Sequence, residues 1–411
     1  MELVKVSEKE LDEYVYSSLK SHFMQTSAWG EVNEARGAIS HRLVLKDGER
    51  IVGSALLLQK KVLNYSTFYC PRGIITDYGN KKDIKDTIVA LKKYVTDLNG
   101  LYLKIDPDII IRKLNNDLTV KEEFKENLEL IDYLKSLGGK HRGFVKKLSE
   151  TSAPRYTFRV NLEKDDLLST FQPRLRNLLK RDNPYNLDIF IGDDIDLFYK
   201  PMKETSIRKN MYVESKSFFE NFYRILNKHD MSDLYVIKAN IADLKKKYNS
   251  MISEAEEALK KTVKQGKIDD LNNQLTRYRK ELSLINEVKD EEIVLSSVIT
   301  AKFKDKVWII HSGNSTELPF LKSNYEMYWH IIKDAKAQGY KYVDLYGTEG
   351  EIDKSSDAYG IFEYKTKFNG DFDEFIGEFD FITKPLAYSI ITKLLIARRK
   401  IKYHLQKLKN K

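Results

Sequence analysis

A chain of 411 residues with 42% apolar and 32% charged side chains has the make-up of a soluble globular protein, long enough for two or three domains. No apolar run approaches the ~18 residues of a membrane span, and the charged start "MELVKVSEKELDEY" does not read as a secretory signal, so a cytoplasmic protein is expected. The single cysteine, Cys70, excludes an internal disulfide and a Cys-rich zinc site, and the seven scattered histidines show no metal-ligand spacing, so no metal is expected.

From the N-terminus, "HRLVLKDGERIVGSALLLQKKV" (41–62) reads as two strands joined by a tight turn at Asp47-Gly48. "DIKDTIVALKKYVTDLNG" (83–100) reads as a helix capped by Gly100, and "LYLKIDP" (101–107) as the strand after it. "SETSAPRYTF" (149–158) reads as a linker between two mixed α/β domains, each with a central sheet and flanking helices. "DLYVIKAN" (233–240) is the next strand, and the clearest segment of the chain follows it. Ile241, Leu244, Tyr248, Met251, Ala255 and Leu259 keep heptad spacing; after "KQGK" so do Ile268, Leu271, Leu275, Tyr278, Leu282 and Ile285. Each half spans about three heptads, short for an intermolecular rod, so a helical hairpin reversing at Gly266 and projecting as an arm is expected.

The strands resume with "EEIVLSSVITAKFKDKVWIIHSG" (291–313). "IVGSALLLQKK" (51–61) aligns with "IVLSSVITAKF" (293–303) without a gap, which points to an internal duplication. The arm then stands where the first copy has only Asp47-Gly48, and should be dispensable for folding of the body. "NYEMYWHIIKDAKAQGY" (324–340) is a helix stopped at Gly339, followed by the strand "KYVDLYG" (341–347). In "YGIFEYKTKFNGDFDEFIGE" (359–378), Lys365 interrupts an aromatic run, as either a solvent-facing lysine on a half-buried helix or a functional cation.

The net charge of +9 is a property of the end of the chain. Nine Lys and Arg residues and no acid lie between Phe381 and Lys411. Ile390, Leu394, Ile401, Leu405 and Leu408 recur among them at helical spacing. A terminal helix packed on its own domain with a solvated cationic face accounts for this, and so does contact with an anionic surface of lipid or nucleic acid.

Several of these segments, in this order, give the chain a family resemblance. "FMQTSAWGEV" (23–32), "YCPRGIITD" (69–77), "LKIDP" (103–107), "APRYTF" (153–158), "FQPRLRNLLKR" (171–181), "MKETSIRKNMY" (202–212) and "GIFEYKTKFNGDFDEFIGEFD" (360–380) resemble the Fem family of aminoacyl-tRNA-dependent transferases. The resemblance runs over nearly the whole length and includes the inserted arm. It implies a mixed α/β fold of two tandem GNAT-like acyltransferase domains with an inserted antiparallel coiled-coil arm. The first domain would hold 1–153 together with 381–411, and the second 154–380 with the arm at 241–290. It implies transfer of an amino acid from aminoacyl-tRNA to the stem-peptide amine of lipid II, or of its UDP-linked precursor, building the interpeptide bridge without a cofactor. The enzyme would work at the inner face of the plasma membrane, touching anionic lipid through its basic C-terminal helix.

By the same resemblance Tyr364 and Lys365 match an aromatic-Lys pair whose lysine stabilises the tetrahedral oxyanion. Ser206, Arg208 and Tyr212 match a Thr/Ser-x-Arg-x-x-x-Tyr pattern that binds precursor phosphate and sugar-peptide groups. A plain alternative for Arg208 is a helix ion pair with Glu204. Asp106 matches an acidic position lining the precursor site, against simple turn chemistry ahead of Pro107. The chain departs from the family at Asn33, where some relatives carry a second phosphate-binding lysine, so that contact is not expected here. Two other functions compete: a coenzyme A-dependent GNAT acetyltransferase, whose pyrophosphate loop could only be "YGTEGE" (346–351), and a non-catalytic RNA- or membrane-associated scaffold.

Overall fold

The computed structural model describes residues 1–209, 212–356 and 358–394. Within them the chain builds two mixed sheets. The first orders its strands Glu2–Lys5, Ile39–Asp47, Arg50–Val62, Tyr65–Cys70, Gly100–Ile105, Phe379–Ile382 and Gly139–His141, with the short Ile75–Thr76 beside Arg50–Val62. The second runs Asp188–Gly192, Leu234–Asn240, Glu292–Phe303, Lys306–Asn314, Tyr342–Thr348, Tyr156–Asn161, Asp371–Phe375, Ile110–Leu114 and Val120–Glu123.

The two sheets repeat one plan. In each, a long strand pairs antiparallel with its predecessor: Arg50–Val62 with Ile39–Asp47, and Glu292–Phe303 with Leu234–Asn240. The strand after it pairs parallel with the one beyond the next helix: Tyr65–Cys70 with Gly100–Ile105, and Lys306–Asn314 with Tyr342–Thr348. Those parallel partners are reached through the helices Lys81–Asp97 and Ser323–Ala337, since a parallel connection needs a crossover. The segments aligned in the sequence occupy equivalent places, so the duplication and the tandem GNAT-like architecture are present. Both long strands are buried on both faces: Ala55 and Leu57 join the core under the helix Lys81–Asp97, while Leu56 and Leu58 pack on Leu11 and Val15.

The halves are also interlaced. The hairpin Ile110–Leu114/Val120–Glu123, within the stretch expected to be first domain, extends the second sheet. Asp371–Phe375 lies in the second sheet and Phe379–Ile382 in the first, so residues 376–378 stitch the two together. The helical residues 385–394 return to the first sheet, where Tyr388 packs edge-on against Tyr102; the expected basic helix beyond residue 394 lies outside the described residues.

Three local expectations are corrected. The left-handed residue ending the helix Lys81–Asp97 is Asn99 (φ 56°), not Gly100; Gly100 opens the next strand, and a side chain is barred there because a Cβ would collide with Val95. The arm helices Ile241–Lys260 and Gln265–Glu287 reverse at residues 261–264, and Gly266 lies inside the second helix. The arm is not an appendage at its base. Ile241, Leu244, Tyr248 and Ile285 belong to the second core, Tyr248 stacks on Tyr185 at 5.9 Å and donates to Glu281 at 3.0 Å. Only the distal part, around Ala255, Leu271 and Leu275, has its own small core.

Candidate active site

The residues at the carboxyl ends of the two parallel pairs form one buried polar centre, the usual ligand position in such sheets. Asp106 directly follows Gly100–Ile105. Its carboxylate accepts from the Tyr69 hydroxyl at 2.9 Å and the Arg72 backbone N–H at 2.8 Å, not from the turn at Pro107. Burial pushes its pKa up to about 7, against the pull of Arg72. Arg72 is held in the left-handed region (φ 55°), and its guanidinium donates to the Pro154 carbonyl at 2.6 Å and lies over the Phe375 ring. Asp106 thus orders a loop that joins both sheets.

At the end of the second pair, Lys365 faces inward. It sits in the helix Tyr359–Thr366, three residues after Phe362, and the two share the buried face. Lys365 is only 6% exposed, and its Nζ donates to the carbonyls of Tyr346 (2.8 Å) and Gly347 (2.7 Å). The solvent-facing lysine is therefore excluded. Burial pushes its pKa down to about 7, with Asp344 opposing. An ammonium has three N–H donors, and two are engaged by these carbonyls.

Asp344 shapes the cradle. Its Oδ1 accepts from the Tyr346 N–H at 2.7 Å and from the Thr157 hydroxyl, while Oδ2 accepts from Arg159 Nε at 3.0 Å. Tyr346, with φ 64°, is left-handed, which a non-glycine adopts only at a cost. Arg159 continues to Asp108 at 3.0 Å and Asp373 at 3.6 Å. Burial alone would raise Asp108, but Arg159 and Lys306 outweigh it and hold the carboxyl well below its usual range. Burial also pushes Asp373 up to about 7 despite Arg159. Arg72 and Arg159 both lie over the Phe375 ring, which joins the Asp106 loop to the Asp344 cradle of Lys365.

Tyr364 turns the other way from its neighbour. Its hydroxyl donates to the Asn324 carbonyl at 2.8 Å, and its ring packs on Tyr325, Tyr328 and Phe368. It wedges the Lys365 helix against the start of the helix Ser323–Ala337.

The other expected residues lie along the end of the helix Ile195–Arg208. Ser206 is buried, and its hydroxyl donates to the Lys203 carbonyl within its own helix. Arg208 is exposed, with one long hydrogen bond from Nη1 to the Ser315 carbonyl at 3.5 Å. The alternative ion pair does not form: Glu204 accepts instead from the Ser315 hydroxyl and the Thr316 N–H, both at 2.9 Å. The Lys209 Nζ lies 3.1 Å from where a Cβ would stand at Gly360, so the side chain of this helix end reaches the first turn of the Lys365 helix. Tyr212 donates to Glu214 at 2.7 Å, and Glu214 also receives Arg36 at 2.6 Å from the first half. Burial and Glu214 push the Tyr212 hydroxyl up to about 12. Asn33 is buried and turns its amide to the Trp29 carbonyl at 2.9 Å, a helix-internal contact.

The stretch 346–351 is no phosphate loop. It offers carbonyls to the centre through Tyr346 and Gly347, and the Gly350 N–H donates to the Lys146 carbonyl at 2.9 Å. Its glycines serve packing: a Cβ at Gly347 would meet Pro154 at 2.5 Å, and one at Gly350 the Tyr156 ring. The acetyltransferase reading loses its one candidate. A polar cleft of about 270 Å³ lies at the opposite strand ends of the second sheet, lined by Asn115, Asn161, Asn369 and Asp371.

Sequence reasoning did not single out Arg72, Asp344, Tyr346 or Arg159. Two of their segments, "YCPRGIITD" and "KYVDLYG", were legible as motifs, but a buried charge belt assembled from four strands leaves no periodic signal.

The FemAB family model matches residues 6–395. The chain is 28% identical over 436 aligned residues to the Lipid II:glycine glycyltransferase of Staphylococcus aureus strain USA300, with all of both chains covered. The protein of that name from strain MRSA252 matches equally. A solved structure, "Crystal structure of FemX", superposes with a TM-score of 0.77 at 26% identity, covering 95% of this chain and 100% of that one.

Proposed function

The chain belongs to the FemAB family and is an aminoacyltransferase; we propose that it moves an amino acid from aminoacyl-tRNA to the stem-peptide amine of lipid II, building the peptidoglycan bridge. The observation that carries the reading is the buried Lys365, with two N–H groups on the Tyr346 and Gly347 carbonyls and, among the described residues, no acceptor for the third, which we assign to the reacting ester oxygen. The neutral acceptor amine attacks the ester carbonyl, and a C–N bond forms as the carbonyl oxygen becomes an oxyanion beside Nζ. A preorganised donor at that oxygen lowers the barrier by roughly 3–4 kcal/mol. The intermediate collapses to the amide, the ester C–O bond breaks, and the ribose oxygen leaves with the proton given up by the amine. The ester is already activated, so no enzyme nucleophile is required; burial pushes the Cys70 thiol well above its usual range, which suits a structural role.

Arg208 would take the acceptor's diphosphate. Its planar fork suits phosphate oxygens, and it is exposed at the helix end whose Lys209 side chain reaches the first turn of the Lys365 helix. Asp106 and Tyr364 support this centre from either side, by ordering the Arg72 loop and by seating the Lys365 helix. A lipid-borne acceptor places the working enzyme at the inner face of the plasma membrane. Among the described residues, no helix is long and apolar enough to cross a membrane.

The test is a panel of singly charged tRNAs offered with lipid II or with its UDP-linked precursor, the products read by mass spectrometry. A gain of one aminoacyl residue on the acceptor, dependent on charged tRNA, is expected. Acylation from acetyl-CoA, or no product from any charged tRNA, overturns the proposal.

A further inference from the structure

Three connections meet at one end of the first sheet: the turn at 63–64, residues 98–99, and residues 383–384. Asn99 Nδ2 donates to the Asn64 carbonyl at 2.8 Å, the Thr383 hydroxyl to the Gly100 carbonyl, and the Lys384 N–H to the Leu101 carbonyl at 3.4 Å. Lys384 Nζ lies 5.5 Å from the Tyr65 ring centre. This tied end leaves large apolar side chains in water: Leu63 is 77% exposed and Leu386 86%.

The helical residues 385–394 continue the patch. Tyr388 and Ile391 are buried against the sheet, and the Tyr388 hydroxyl donates to Asp380 at 2.7 Å. Leu386, Ile390 and Leu394, at i, i+4 and i+8, form a separate stripe, with Ile390 63% and Leu394 56% exposed. A terminal helix that served only to cover its own domain would carry polar residues on that outer face. Lys384 and Lys393 flank it, and the sequence adds seven further cations after residue 397 with no acid. The nearby Asp97 is paired with Lys93 at 3.0 Å.

We propose that this end of the first sheet docks on an anionic lipid bilayer, with Leu63, Leu386, Ile390 and Leu394 entering the headgroup–acyl boundary. The occupant follows from the charge: Lys384 and Lys393 beside the exposed apolar stripe, in a stretch whose sequence holds no acid from residue 381 onward, complement anionic headgroups over acyl chains, and each cation adds about fivefold in affinity. The proposal deepens the reading of a lipid-borne acceptor by naming the surface that brings the enzyme to it.

The test is co-flotation with phosphatidylglycerol-containing and pure phosphatidylcholine vesicles, needing neither tRNA nor precursor, so its outcome is independent of the transfer assay. The full chain is expected to bind the anionic vesicles, and the triple variant Leu63→Ser, Leu386→Ser, Ile390→Ser to bind at least about tenfold more weakly. Equal binding by the two proteins overturns insertion, as does wild-type binding that high salt abolishes completely. Self-association lost in the triple variant, with no vesicle binding by either protein, makes the patch a dimer face and overturns it too. A second readout does not rely on the triple variant: Cys70 is buried, so Leu63→Cys can carry an environment-sensitive dye on the only accessible thiol. Blue-shifted emission on anionic vesicles is expected, and unchanged emission contradicts the proposal.

Discussion

Lys365→Met keeps the aliphatic stem and removes the cation, and its effect on stability can be worked out from the site. Burial depresses the folded-state pKa from 10.5 to about 7. Between those values the unfolded chain binds a proton that the folded chain has released, so this group makes stability rise with pH across the window. The full difference is about 5 kcal/mol, of which about 3 kcal/mol falls between pH 7 and 9.5. Below pH 7 the native protein carries the whole cost of a buried charge. The methionine has no such cost but leaves the Tyr346 and Gly347 carbonyls without their donor, a loss of about 1–3 kcal/mol each. The two effects nearly cancel at pH 7, so the variant should be about as stable as the native enzyme there. At pH 9.5 it should fall behind by about 3 kcal/mol more. Denaturant titrations of both proteins at the two pH values measure this, because every other titrating group is common to the pair. Parallel pH dependence would mean that Lys365 has an ordinary, solvated pKa and that the inward-facing geometry is wrong.

Arg208→Ala should raise the KM for the precursor at least about tenfold with a smaller change in kcat, since its fork is assigned to binding and not to the transition state; the reverse balance in steady-state kinetics would contradict the assignment. Asp344→Asn removes the one charge that raises the Lys365 pKa, so the loss of kcat at alkaline pH should begin at lower pH. Its stability cost should stay below the ~3–5 kcal/mol typical of a broken buried pair, because Arg159 keeps Asp108 and Asp373; an unshifted profile would uncouple Asp344 from Lys365. Replacing residues 250–279 with a short turn should leave a cooperative fold, judged by thermal melting. Replacing all of 241–287 with Asn-Gly should destabilise the body by about 3–5 kcal/mol or more, because Tyr248 is lost from the core beside Tyr185 and Phe320; equal melting of the two truncations would show the base to be dispensable.

The fold was largely legible because its signals are periodic. The heptads of the arm, the hairpin turn at Asp47-Gly48 and the helix stop at Gly339 (φ 84°) are local, and the duplicated strands reveal the tandem plan. The interlacing was not legible: nothing in "IIIRKL" says that the hairpin at 110–123 pairs with the second sheet. The arm base was misjudged for a related reason, since heptad spacing describes Tyr248 facing its partner helix and says nothing of Tyr185 arriving from elsewhere. At the site, Lys365 could be picked out but not oriented. Only the helix Tyr359–Thr366 shows that it shares a face with Phe362, and only the left-handed Tyr346 shows which atoms receive it. Ser206 matched the family pattern, yet its hydroxyl stays within its own helix.

Single-turnover transfer from a charged tRNA to lipid II, by the native enzyme and by Lys365→Met under saturating substrates at pH 7, tests the central claim most directly. The native enzyme is expected to form the bridged product, and the variant to be slower by on the order of a hundredfold or more while melting normally and binding precursor with similar affinity. A correctly folded Lys365→Met enzyme with near-native turnover would remove Lys365 from the chemistry and leave its buried cradle a matter of structure alone.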